Sequence, residues 1–81
     1  METGYVFLNL KPGMKKDCLL RIRNVEGVKE AQLVIGLFDA IVKIEGQTIE
    51  DLERLYLDRL DTIPGIADSR LQIVACVRSG K

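Results

Sequence analysis

An α+β fold in the order strand–helix–strand–strand–helix–strand is what this sequence predicts, and three observations carry that reading. Stretches dense in apolar residues, suited to buried strands, alternate with stretches whose apolar residues fall at helical spacing. A short signature occurs twice, as Val25-Glu26-Gly27-Val28 and as Ile63-Pro64-Gly65-Ile66. Each copy closes a helix-like stretch and opens a strand-like one, so a single strand–helix–strand unit is used twice. In both, the branched residue before the x-Gly pair plugs the helix end into the core. The glycine then supplies the permissive backbone that turns the chain out of the helix.

Taken in order, Gly4 to Leu10 (GYVFLNL) is nearly all apolar or aromatic and reads as a strand covered on both faces. Lys11-Pro12-Gly13 breaks it. From Met14 to Val25, apolar residues fall at 14, 18, 19, 22 and 25, a helical spacing, with Lys15, Lys16, Asp17, Arg21 and Arg23 on the solvated face. Val28 to Ile35 is a second strand and Asp39 to Glu45 a third. The link between them, Gly36-Leu37-Phe38, is short enough to demand an antiparallel hairpin. Gly46 and Gln47 end that strand, and Thr48 reads as an N-cap with Glu50 and Asp51 near the positive end of the helix dipole. Ile49, Leu52, Leu55, Tyr56, Leu60 and Ile63 form that helix's apolar stripe, with Leu57 off it. Pro64 stops the helix, and Ile66 to Arg78 holds the last strand, clearest from Leu71 to Val77. Two right-handed βαβ units of this kind interleave into a four-stranded antiparallel sheet with both helices on one face. That is the ferredoxin-like βαββαβ plait.

Composition narrows the function. With 81 residues, we read 1–81 as a single small domain. Hydrophobic residues make up 47%, too many for a disordered chain. Twelve Lys and Arg balance twelve Asp and Glu, so no overall field steers the chain onto nucleic acid or anionic lipid. No apolar run approaches a membrane span and the N-terminus lacks a signal pattern, which points to the cytoplasm. Cys18 and Cys76 suit reduced packing thiols better than a disulfide. Histidine is absent, which removes the commonest general base and transition-metal ligand. Asp39, Glu45, Glu50, Asp51 and Glu53 read as caps and solvated charges, so neither metal nor cofactor is expected.

Helices cover only one side of such a sheet, and its other side should then be polar. It is not. Tyr5 and Phe7 accompany Val6 and Leu8 on the first strand, Ile41 lies opposite Ala40 and Val42, and Val74 and Cys76 lie opposite Leu71, Ile73 and Ala75. Burying ~500 Å² of this face at ~25 cal/mol per Å² is worth roughly 12 kcal/mol before association costs. The expected outcome is a homodimer made by sheet-to-sheet packing, with Tyr5, Phe7, Ile41, Val74 and Cys76 in its interface, stacked in turn into a larger ring.

The hairpin connection is unusual as well. Short hairpin loops favour Asn-Gly or Asp-Gly, whereas this one places Leu37 and Phe38 at its tip, with Asp39 beside the amides around Gly36. A small amphipathic ligand or a neighbouring subunit would satisfy both features. The plainer reading has Phe38 fold back over its own core while Asp39 bonds the turn.

These residues carry a resemblance. Gly36-Leu37-Phe38-Asp39 resembles the Gly-x-Phe/Tyr-Asp motif of the effector-binding (RAM) domain of the Lrp/AsnC, or feast/famine, transcription regulators. Ile63-Pro64-Gly65-Ile66 is similar to that family's Ile-Pro-Gly-Val turn at the same distance downstream, and the likeness runs from about Gly4 to Val77. It implies a dimer through the sheets, octamers or other rings of dimers, and an amino-acid effector bound near the loop. Gly36, Leu37, Phe38 and Asp39 are then the candidate effector contacts. Ser69 and Leu71 join them, at positions where family members often carry two threonines. Ser69 keeps a hydroxyl and Leu71 loses one. Full-length regulators place a helix-turn-helix domain before this one, whereas here three residues precede the first strand. The expectation is therefore a stand-alone module that senses an amino acid or co-assembles with full-length regulators, without direct contact to DNA.

Two other classes stand beside it. An ACT-like regulatory subunit shares the element order and would bind its ligand around Lys11-Pro12-Gly13. A small ferredoxin-like enzyme would need a nucleophile paired with a base, and Cys18, Tyr5, Tyr56 and Asp39 show no such pairing at readable spacing.

Overall fold

The computed structural model of the chain describes residues 1–75. Its elements are β1 (Glu2–Leu10), α1 (Lys15–Arg23), β2 (Val28–Leu33), β3 (Ala40–Gly46), α2 (Ile49–Leu55) and β4 (Ile66–Ile73). The sheet order is β2-β3-β1-β4 with every neighbouring pair antiparallel, which is the ferredoxin-like plait expected from the sequence. Burial alternates strictly along the two central strands. Val6, Leu8 and Leu10 of β1, and Ala40, Val42 and Ile44 of β3, face the helices and are buried. Cys18 and Ile22 of α1 and Leu52 of α2 close over them, together with Leu60.

The element ends differ from expectation in instructive ways. β1 begins at Glu2, because Glu2 and Thr3 still find partners in Gly46 and Glu45. β2 stops at Leu33 and β3 starts at Ala40, so the hairpin connection is longer than Gly36–Phe38. Beyond Leu55 the second helix widens into a π-type turn over Tyr56–Leu60, where the Asp61 amide bonds the Tyr56 carbonyl at 2.8 Å. That extra residue carries Leu60 round to full burial while leaving Leu57 outside, 56% exposed. Thr48 caps α2 as expected. Its hydroxyl accepts from the Asp51 amide at 3.1 Å, and the Asp51 carboxylate accepts from the Thr48 amide at 3.2 Å. The expected course of the last strand from 76 to 78 lies outside the described residues.

The repeated signature is a repeated lock. Gly27 and Gly65 both sit at φ +99°, a conformation L side chains rarely adopt. A Cβ at Gly27 would meet Leu55 Cδ2 of α2 at 2.8 Å, and one at Gly65 would meet Cys18 Sγ of α1 at 2.5 Å. Each turn therefore closes against the helix of the other half. The main chain repeats the exchange: the Glu45 amide donates to the Gly27 carbonyl at 3.0 Å, and the Lys11 amide to the Gly65 carbonyl at 2.8 Å. The Cys18 thiol adds a bond to the Pro64 carbonyl at 3.1 Å. The two glycines thus tie two βαβ units into one core.

Gly65→Ala is expected to destabilise the fold by about 3 kcal/mol, from backbone strain plus overpacking. Gly13→Ala is the control, since Gly13 shares the positive φ (+82°) but a Cβ there meets nothing within 4 Å. It should cost only about 1 kcal/mol. Urea unfolding of the two variants measures the difference, and equal losses would remove the packing contribution.

Candidate functional site

The side of the sheet opposite the helices is apolar at its centre. The register sets Phe7 between Ile41 and Arg70, and Tyr5 between Lys43 and Gln72. Tyr5, Phe7 and Ile41 are half-buried, and Val74, beyond the end of β4 on the same side, is 47% exposed. Four of the five residues assigned from sequence to a dimer interface thus share one surface, ringed by Lys43, Arg70 and Gln72. The fifth, Cys76, lies outside the described residues.

The β2–β3 loop stands at the corner of this surface. Phe38 leans onto it, its ring 5.3 Å from that of Phe7 and tilted by 44°. It therefore covers the helix-free face and not the core beneath the helices. Ile35 and Leu37 point away into solvent, 106% and 91% exposed. They are the two most exposed large apolar side chains among the described residues, and they stand on one loop.

Asp39 anchors the loop. Its amide donates to the Leu8 carbonyl at 2.8 Å and its carbonyl accepts from the Val34 amide at 2.9 Å. The side chain reaches further: Asp39 Oδ2 accepts from the Leu10 amide at 2.8 Å, and Oδ1 lies 3.5 Å from Lys15 Nζ. The local geometry explains why. β1 runs on beyond Leu8, whose partner Ala40 is the first residue of β3, so the Leu10 amide has no strand partner on that side. A carboxylate one residue before the strand start fills the gap. The Leu10 bond, aided by the Lys15 ammonium, holds the Asp39 carboxyl below the ordinary value, against a smaller upward push from partial burial. Because α1 begins at Lys15, this carboxylate also joins the β2–β3 loop to the Lys11–Gly13 connection. The two loops that sequence reading assigned to competing binding modes therefore meet at one corner.

Ser69 and Leu71 lie elsewhere. Ser69 pairs with Leu8 and Leu71 with Val6, so both face the helix layer, two strands from Ala40, a separation of roughly 10 Å. The Ser69 hydroxyl is engaged twice, with Tyr56 Oη at 2.6 Å and as donor to Asp61 Oδ1 at 2.7 Å, and Leu71 packs against the core. Gly36, Leu37, Phe38 and Asp39 form one cluster on the chain, and Ser69 and Leu71 a separate one. The Tyr56–Ser69–Asp61 network has no signature in the sequence, because the π-type turn that aims Tyr56 and Asp61 has none.

A second feature escaped sequence reading. The outer edge of β2 offers the Ala31 carbonyl to solvent, and Arg23 of α1 donates to it from Nε at 3.1 Å and Nη2 at 2.8 Å. This covers an acceptor on an exposed strand edge. Cys18 is buried, and burial pushes its thiol pKa upward, the opposite of an activated nucleophile. Among the described residues, no group of three acidic or sulfur side chains is placed to hold a metal ion, and no helix is long and apolar enough to cross a membrane.

Comparison with known proteins places this geometry. The family model for the Lrp/AsnC ligand binding domain matches residues 3–76. An HTH-type transcriptional regulator of Pyrococcus horikoshii is 24% identical over 70 residues, covering 83% of this chain. The chain spans 47% of that relative's length. The crystal structure of a protein termed PHS023, also from Pyrococcus horikoshii, superposes with a TM-score of 0.86 at 26% identity, covering 95% of this chain and 93% of the other. A feast or famine regulatory protein from M. tuberculosis, complexed with L-methionine, superposes at 0.76 and 22% identity, covering 100% of this chain and 55% of the other.

The Asp39 bonds have a pH signature. Since its folded pKa lies below the ordinary 3.8, the carboxylate contributes stability that is complete above the unfolded value and lost as pH falls through the folded one. Thermal unfolding of the wild type should therefore weaken progressively below about pH 4, and Asp39→Asn should flatten that part of the profile. Identical acid profiles for the two proteins would contradict the assignment.

Proposed function

The chain belongs to the Lrp/AsnC ligand-binding domain family, and from that premise we propose that it is an amino-acid-sensing and assembly module. Two copies pack through their helix-free faces, around Tyr5, Phe7, Ile41 and Val74. The effector binds where the Gly36–Asp39 loop meets a neighbouring copy in a larger ring of dimers. Residues 1–81 act as one unit, in the cytoplasm, without catalysis. Assembly with a full-length Lrp/AsnC regulator through the same face passes the signal to subunits that hold DNA.

The observation that carries this reading is the loop itself. Ile35 and Leu37 are exposed at its tip, while Asp39 and Phe38 hold its base rigidly to β1. A fixed apolar prong beside an apolar sheet face is suited to contact with another copy. At its base, Lys15 and Asp39 present a cation and an anion side by side, 3.5 Å apart. An amino-acid zwitterion carries the complementary pair of charges. The solved regulator complexed with L-methionine supports that ligand class and makes L-methionine the first probe.

The test is a thermal-shift screen of the twenty amino acids, L-methionine first. A ligand at a hundred times its dissociation constant should add about 2.7 kcal/mol of stability. Each variant is read against its own unliganded baseline, since Asp39→Ala also strips the Leu10 amide of its partner. Asp39→Ala should abolish the shift, and Lys15→Met, which keeps the Leu10 bond, should weaken it. No shift with any amino acid, or an undiminished shift in Asp39→Ala, would refute the sensing role.

A further inference from the structure

The chain's zero net charge conceals two opposite helices. Residues 11–26, around α1, carry five Lys and Arg against two Asp and Glu, while residues 48–61, around α2, carry five Asp and Glu against two Arg. The balances are +3 and −3. The pattern is finer than the totals. Lys16, Leu20 and Arg21 on α1 recur as Glu53, Leu57 and Asp58 on the second helix, with the same spacing and the opposite sign.

The structure turns both triplets outward. Cys18 and Ile22 are fully buried against the sheet, so Leu20, between them in sequence, lies on the far side of the helix and is 54% exposed. Leu57 is displaced from the core by the π-type turn and is 56% exposed. All four flanking charges are exposed, and none has an ion-pair partner among the described residues. The two helices lie side by side on one sheet face, so neither outer ridge can reach the other within one chain.

We infer that the helix layer is a second interface between copies of this chain, independent of the helix-free face. Across a two-fold axis, α1 of one protomer lies on α2 of its partner, and α2 on α1. Leu20 meets the partner's Leu57, while Lys16 and Arg21 face Glu53 and Asp58. An isologous contact uses both triplets of both chains at once, so every charge finds an opposite. With apolar faces on one side of the sheet and matched charges on the other, each subunit has two distinct contacts, which is what growth beyond a dimer requires.

The two contacts differ in their response to salt, and sedimentation velocity separates them. Raising salt from about 0.1 M to about 1 M shortens the Debye length from about 10 Å to about 3 Å. The wild-type assembly should lose its helix-layer contact over that range and sediment as a smaller species. Lys16→Glu with Arg21→Glu, or Glu53→Lys with Asp58→Lys, should give that smaller species already at low salt, and all four changes together should restore the larger one. An assembly unmoved by salt and by reversal, or nothing larger than a dimer at low salt, would overturn the helix-layer contact. Phe7→Asp distinguishes the other reading: if the salt-resistant dimer survives that change, the sheet-face contact fails while this one stands.

Discussion

The structure depends on two turns in which a glycine closes against the helix of the opposite half. Gly27 receives Leu55 and Gly65 receives Cys18, both at distances no Cβ allows. Each glycine carbonyl also accepts an amide of the other unit, from Glu45 in β3 or from Lys11 just past β1. Because the contacts are exchanged, neither βαβ unit is complete alone. Together they commit both helices to one side of the sheet. The other side is left with Tyr5, Phe7 and Ile41 and no helix to cover them.

That asymmetry organises the rest. Phe38 covers part of the open face by leaning on Phe7, and its loop is held there by a carboxylate serving the end of β1. In the proposed reading Asp39 is structural and functional in one group. It satisfies the Leu10 amide while standing beside Lys15, where a zwitterion would find both charges. The loop tip, with Ile35 and Leu37, is what the fold leaves uncovered at that corner. The chain is a member of the Lrp/AsnC ligand-binding domains, and the function proposed for it takes the surfaces bare on one chain as contact surfaces between several.

The sequence was most legible where one chemical signal had one structural outcome. The two x-Gly turns and the Thr48 cap are local patterns, and each appears as expected, whereas the alternating burial of β1 was hidden by large apolar residues on both of its faces. Legibility failed where side chains cross between elements. Nothing in Asp39 announces that its carboxylate serves Leu10, since that bond depends on where β3 begins. Ser69 reads as a free hydroxyl until the π-type turn brings Tyr56 and Asp61 to it. Leu57, off the apolar stripe, was legible as exposed, but the widened turn that puts it there was not. Arg23 read as a solvated charge, yet its guanidinium covers the edge of β2.

The central claim is that the helix-free face of one copy lies on that of another. An isotope-filtered NOE experiment on a mixture of labelled and unlabelled chains tests it directly, because it detects contacts between copies alone. The account expects cross-peaks from the Phe7 ring and the Ile41 methyls of one copy to the same face of another. Intermolecular cross-peaks confined to other surfaces, with Phe7 and Ile41 silent, would contradict it.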